Sequence, residues 1–161
     1  MKKVIMLLLV LSATVAGYAQ FEQGKYYVGA SLTGLNLSYS GSDDLNFGVE
    51  AKGGYLIYDN WMVTAQASFM HSGNDDVAGY ASVGVGGRFY VIQNGLYLGL
   101  NAKLRHANHN YNDLMPGLEM GYAFFLNKTV TIEPAIYYDQ SFKRHSDYSK
   151  IGLRIGLGIY L

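Results

Sequence analysis

The chain has 161 residues, and its 12 basic and 12 acidic side chains give a formal net charge of zero, so no overall field draws it to nucleic acid or to an anionic surface. It has no cysteine, which excludes disulfides, zinc–thiolate sites and thiol nucleophiles. Its 15 tyrosines, 20 glycines and only 2 prolines make a β-rich, aromatic mixture of a length that fits one domain.

Lys2 and Lys3 precede an apolar run from Val4 to Val15, and Gly17-Tyr18-Ala19 follows. A charged start, an apolar run too short to span as a helix, and small residues one and three positions before a cut form the pattern of a secretory signal. Residues 1–19 are therefore expected to be a signal peptide cleaved after Ala19, with Sec-dependent export to the periplasm and a single domain over residues 20–161. Gln20 stands where a lipid-anchored protein would need a cysteine.

Eight segments of roughly ten to fourteen residues follow, the length a tilted strand needs to cross a bilayer. In each, apolar side chains alternate with polar ones or glycine, as the two faces of a strand require. The first carries Tyr26, Val28, Ala30 and Leu32 at even positions but Leu35, Leu37 and Tyr39 at odd ones, which predicts a one-residue bulge near Gly34. The second sets Leu45, Phe47, Val49, Ala51, Gly53, Tyr55 and Ile57 against Asn46, Gly48, Glu50, Lys52 and Gly54. The third sets Trp61, Val63, Ala65, Ala67 and Phe69 against Thr64, Gln66 and Ser68, with Met62 and Met70 as apolar exceptions on the polar face. In the fourth, Ala81, Val83, Val85, Phe89 and Val91 oppose Tyr80, Ser82, Gly84, Gly86, Arg88 and Tyr90; in the fifth, Leu96, Leu98, Leu100, Ala102 and Leu104 oppose Tyr97, Gly99, Asn101, Lys103 and Arg105. The sixth, expected to start at Pro116, opposes Leu118, Met120, Tyr122 and Phe124 to Gly117, Glu119, Gly121 and Ala123. The seventh opposes Val130, Ile132, Ile136 and Tyr138 to Thr131, Glu133, Ala135 and Tyr137. Pro134 lies inside it and requires a bulge or a skipped ladder bond. The eighth shows Ile151, Leu153, Ile155, Leu157, Ile159 and Leu161 on one face, and Lys150, Gly152, Arg154, Gly156, Gly158 and Tyr160 on the other.

The links alternate in length. Asp59-Asn60, Gln93-Asn94 and Asn127-Lys128 are tight turns, while the stretches near Ser40 to Asp44, Ser72 to Ala78, Ala107 to Asp113 and Ser141 to Asp147 are longer. Transmembrane barrels have short periplasmic turns and longer external loops, so the tight turns and both chain ends are expected on the periplasmic side. Tyr55, Trp61, Phe89, Tyr122 and Phe124 then flank that side of the oily face and Phe47, Phe69 and Tyr138 the external side, as two aromatic girdles. A soluble sandwich has no need to sort aromatics to strand ends or to keep one long face of every strand free of charge; a soluble lipocalin-like carrier is a further alternative.

An eight-stranded barrel is just wide enough for side chains to fill its interior. The inward positions Glu50, Lys52, Arg88, Lys103, Arg105, Glu119, Glu133, Lys150 and Arg154 are expected to pair there, because desolvated charges need partners. Across adjacent strands, Glu119 is expected near Lys103 or Arg105, and Glu133 near Arg154. The competing possibility is a narrow passive pore.

These eight alternating strands, the links of alternating length and the preceding signal together resemble the small eight-stranded outer-membrane barrels of the porin family, which includes OmpX-type proteins and the OmpA transmembrane domain. The resemblance implies an all-β, antiparallel up-and-down transmembrane barrel in a Gram-negative outer membrane, monomeric, in contact with outer-membrane lipid and delivered through the barrel-assembly machinery. Enzymes occur on this scaffold, so His71, His106, His109 and His145, with Asp75, Asp76, Asp113 and Asp147 nearby, form a candidate metal or acyl-transfer cluster at the external end. A lipid deacylase would carry His-x-Ser on one strand face. Here His71-Ser72 and His145-Ser146 are adjacent and point oppositely, so no catalytic, metal or cofactor residue is assigned. Gly84-Val85-Gly86-Gly87 lacks the third glycine and helix of a dinucleotide loop. The role expected is structural or surface-interacting, with the pore and then a surface-lipid-modifying enzyme as alternatives.

Overall fold

The computed structural model describes residues 21–35, 46–72, 80–91, 94–107, 111–142 and 149–161. Its strands are β1 (Tyr26–Leu35), β2 (Asn46–Tyr58), β3 (Trp61–Ser72), β4 (Tyr80–Tyr90), β5 (Leu96–Ala107), β6 (Tyr111–Tyr122), β7 (Phe124–Phe125), β8 (Val130–Asp139) and β9 (Lys150–Tyr160). All pairs are antiparallel in the order β6-β5-β4-β3-β2-β1-β9-β8-β7, and an additional β6–β8 pairing closes the sheet into a barrel. β6 and β7 are two pieces of one stave. Gly121 faces Ala135 and Phe124 faces Ile132 in the same register, with Tyr122 and Ala123 skipped between them. The barrel thus has eight staves.

Pro134 causes the interruption. Gln140 donates its N–H to the carbonyl of Pro116, and bonded positions recur every second residue of an antiparallel pair, so the same series reaches Tyr122 and Pro134. A proline there has no donor to offer. The expected skipped ladder bond is present, and the register beside β9 runs unbroken through Pro134 and Ile155. Pro116 corrects the sequence expectation. It lies inside β6, which starts at Tyr111, so Tyr111 to Asp113 belong to a strand and not to a loop. The proline is tolerated because its missing donor falls just beyond the last β6–β8 pair, Gly117 with Asp139.

The bulge expected near Gly34 is also found: Thr33 faces Arg154 but Leu35 faces Leu153, leaving Gly34 as the extra residue. A second register shift, between Leu56 and Tyr58 opposite β3, has no counterpart in the sequence pattern, because Ile57 and Tyr58 are both large and both end exposed. The tight turns cluster at one end of the barrel. Asn60 turns the first with φ 66° and Gly95 the second with φ 95°, while the side-chain oxygen of Asn127 accepts the N–H groups of Thr129 and Val130. Tyr26 and Leu161 exchange backbone hydrogen bonds at that same end.

Alternation sets which face is buried. In β9, Ile151, Leu153, Ile155, Leu157 and Ile159 are exposed, and Gly152, Arg154, Gly156, Gly158 and Tyr160 are buried. The same inversion of a soluble protein, with aliphatics outside and charges inside, holds around the sheet: Val28, Val49, Val83, Leu100, Leu118 and Ile136 are outward, whereas Glu50, Lys52, Arg88, Lys103, Glu119 and Glu133 are inward. A continuous apolar outer wall of this kind has hydrocarbon as its solvent.

Candidate functional site: the filled barrel interior

The interior is layered. At the short-turn end, Phe21, Tyr27, Leu56, Met62, Tyr90, Tyr97, Ala123, Ala135 and Tyr160 form one apolar cluster. Met62, an apolar exception on a polar face in the sequence, belongs to this layer. Next comes a charged layer in which Glu50, Glu119 and Glu133 meet Lys52, Arg88 and Arg154, three carboxylates against three cations. Glu119 is the hub: Lys52 reaches it at 3.1 Å and Arg88 Nε at 2.7 Å, and Arg154 Nη2 also donates to it. Arg154 Nη1 binds Glu50 at 2.8 Å, and Lys52 lies 3.6 Å from the same carboxylate. Arg88 Nη1 binds Glu133 at 2.8 Å. These bonds join β2, β4, β6, β8 and β9 across the lumen. Beyond them Lys103 Nζ bonds both oxygens of Asp139 at 2.8 Å, and Ser141 Oγ donates to Asp113.

The pairing differs from the adjacent-strand expectation. Glu119 engages neither Lys103 nor Arg105 in the bonds described above, and Glu133 binds Arg88, Tyr27, Thr131 and Tyr160 rather than Arg154. Glycine is the physical reason. Glu119 stands opposite Gly99 on β5, and Glu133 opposite Gly156 on β9. A Cβ at Gly99 would run into the Glu119 side chain, and one at Gly158 into Glu133 and Thr131. The carboxylates lie over these gaps and reach across the barrel to long cations. Arg105 faces Asp113 in the register instead, with both side chains buried.

Of the inward charges read from sequence, Glu50, Lys52, Arg88, Lys103, Arg105, Glu119, Glu133 and Arg154 are all buried, while the side chain of Lys150 lies outside the described residues. Asp113 and Asp139 were not assigned to the interior from sequence, although both continue the odd-numbered inward phase of their strands. The inward tyrosines complete the network. Tyr27 donates to Glu133 at 2.9 Å, Tyr160 bonds Glu133 at 3.1 Å and Tyr90 at 2.8 Å, and the Arg88 guanidinium lies 4.2 Å from the Tyr97 ring centroid. Among the described residues, little space is left in the charged layer. The void bounded by Tyr27, Glu50, Lys52, Arg88, Glu133 and Arg154 measures about 10 Å³, the room one water needs.

On the outer face, the aromatics of the short-turn end pair off: Trp61 with Phe89 at 4.8 Å, Tyr122 with Phe124 at 4.3 Å, and Tyr55 with Tyr26 at 5.0 Å between centroids. Phe69 is exposed toward the opposite end, Tyr138 is half-buried, and the side chain of Phe47 lies outside the described residues. His106 is exposed and shares a hydrogen bond with Asn112. His109, His145, Asp75, Asp76 and Asp147 and the His71 side chain also lie outside them.

The model of the family described as outer membrane protein beta-barrel domain matches residues 5–161. No curated protein matches the sequence. Three solved barrels are similar in fold. The N-terminal β-barrel domain of Pseudomonas aeruginosa OprF has a TM-score of 0.64 at 13% identity, covering 86% of this chain and 98% of that one. Neisserial surface protein A has a TM-score of 0.63 at 14% identity, covering 84% and 95%. Yersinia pestis Ail in a phospholipid nanodisc has a TM-score of 0.61 at 15% identity, covering 86% and 100%.

Proposed function

This chain belongs to the outer membrane protein β-barrel domain family, and on that premise we propose that it acts as a closed, non-conducting and non-catalytic barrel with a structural or surface-interaction role, its external loops carrying any contact with partners. The observation that supports this most is the Glu119 hub, where three cations from three strands meet one carboxylate in the middle of the lumen. A conducting barrel needs a continuous wet path, and such a path would have to strip these ion pairs of partners in a desolvated setting. The narrow-pore alternative has no comparable support.

The chain is an integral outer-membrane protein. Within that frame, the route is proposed to be Sec export with cleavage after Ala19, then insertion as a monomer by the barrel-assembly machinery into outer-membrane lipid. Single-channel recording on the refolded protein tests the functional reading: a silent bilayer is expected, and steady ion-selective openings would replace the closed barrel with the pore. Comparing surface lipid A by mass spectrometry between cells with and without the protein addresses catalysis. Identical profiles are expected, and a change in acylation would overturn the non-catalytic assignment.

A further inference from the structure

Phe21 lies outside every strand, yet it is completely buried. Its ring stacks on Tyr90 with 3.8 Å between centroids and 12° between planes, and it meets the edges of Tyr160 and Phe125 at 5.5 and 5.6 Å. Residues 21–25 are held over the short-turn mouth by the β2–β3 hairpin. Asn60 donates its N–H to the Phe21 carbonyl, Gly24 donates to the Leu56 carbonyl, and Leu56 donates to the Lys25 carbonyl, each at 2.9 Å. The Gln23 N–H donates to Asp59 at 2.8 Å. Asn60 takes part from both sides, since its own carbonyl accepts the N–H of Tyr90, the residue on which Phe21 stacks.

Two features set this segment apart from the wall. It is docked through one hairpin and one aromatic socket, and only its last residue, Lys25, continues the β1–β2 register by bonding Leu56. It also joins β1 through Gly24, whose φ of +93° is a conformation other residues adopt only under strain. Beneath it runs a hydrogen-bond chain from Tyr90 to Tyr160 to Glu133 and on to Arg88. Phe21 thus belongs to the apolar cluster that lies between the mouth and the buried charges.

We propose that residues 21–25 form a docked stopper, hinged at Gly24, which closes the short-turn mouth and keeps water away from the Tyr90–Tyr160–Glu133 hydrogen-bond chain. The stopper and the charge network are barriers in series. Loss of the stopper admits water to the tyrosines but leaves the ion pairs of the middle layer across the lumen. The proposal goes beyond the closed-barrel reading and fails independently of it, because channel recording reports the network and reagent access reports the stopper.

The test is acetylation of the refolded, detergent-solubilised protein by water-soluble N-acetylimidazole, read tyrosine by tyrosine by mass spectrometry. Tyr58, exposed beside the Asp59-Asn60 turn at the same end, serves as the fast reference. Tyr137, buried in the lumen against Gly152, reports opening of the whole barrel. In the unaltered protein Tyr90 and Tyr160 are expected to react far more slowly than Tyr58. Phe21→Ala is expected to raise both rates at least about tenfold, with Tyr137 unchanged, as a local opening requires. Gly24→Ala reaches the same result by another route, since a Cβ there meets nothing within 4 Å and the strain falls on the left-handed backbone of the hinge. Tyr90 and Tyr160 remaining slow in both variants would overturn the proposal. So would Tyr137 accelerating with them, which would make Phe21 a support of the fold and not its cap.

Discussion

Replacing Glu119 by glutamine keeps the shape of the hub and removes its charge. Three cations then face two carboxylates, Glu50 and Glu133, in a layer where all six side chains are buried. At the roughly 3 Å separations found here, each ion contact is worth about 5–6 kcal/mol at an effective dielectric constant near 20. Most of that gain is offset by the cost of taking the ions out of water, and breaking a buried pair by removing one partner nets about 3–5 kcal/mol. Glu119→Gln is expected to destabilise the barrel by that amount. With a urea slope of about 1–3 kcal/mol per molar, the unfolding midpoint would fall by roughly 2 M. The assay is urea unfolding in lipid vesicles, followed by heat-modified gel mobility. A second substitution sharpens it: Lys52→Met restores the count of two against two, so the double variant is expected to be more stable than Glu119→Gln alone, and the cycle gives a coupling of about 1–3 kcal/mol. A Glu119→Gln midpoint within about 0.3 M of the unaltered protein would correspond to under about 1 kcal/mol and would refute the account of the hub.

Glycines on the two faces should respond oppositely. Gly99→Ala drives a methyl into Glu119 and is expected to cost about 1–3 kcal/mol, whereas Gly53→Ala, outward with nothing near its Cβ, is expected to be neutral or to gain up to about 1 kcal/mol; urea midpoints separate the two. Ile155, at the centre of β9 and outward, is where Ile155→Arg should cost about 2–4 kcal/mol in vesicles, while Leu161→Arg at the strand end should cost about 0–1. The single tryptophan, Trp61, is half-exposed on the outer face at the short-turn end; its proposed place in an aromatic girdle predicts stronger quenching by lipids brominated near the headgroup than by lipids brominated near the chain end.

The outer face was legible in the sequence because a bilayer demands an unbroken rule. Large apolar residues recur at every second position over a full crossing, as from Ile151 to Leu161 and from Leu96 to Leu104. The bulge at Gly34 was legible for the same reason, as a break in phase that had to be repaired. The interior was legible only as a set of residues. Parity places Glu119, Arg88 and Arg154 inside but carries no information about which of them meet across the lumen, since that depends on the stagger of the staves and on gaps such as Gly99. Asp139 shows the cost of stopping a pattern early: it continues the inward series of Thr131, Glu133 and Tyr137 by one step. The seat of Phe21 was not legible, because a lone aromatic before a strand has no period to betray its face.

The central claim is that neighbouring positions on one strand meet lipid and a packed interior in turn. The chain has no cysteine, so single thiols report cleanly. Nitroxides at Ala65→Cys and Val83→Cys, both outward, are expected in vesicles to collide with oxygen and not with an aqueous nickel chelate. Thiols at Thr64→Cys and Ser82→Cys, both inward and buried, are expected to resist an aqueous maleimide until the protein is unfolded. Labelling of Thr64→Cys and Ser82→Cys in the folded protein as fast as in the unfolded one, or nickel relaxation at Ala65→Cys and Val83→Cys, would contradict the filled barrel.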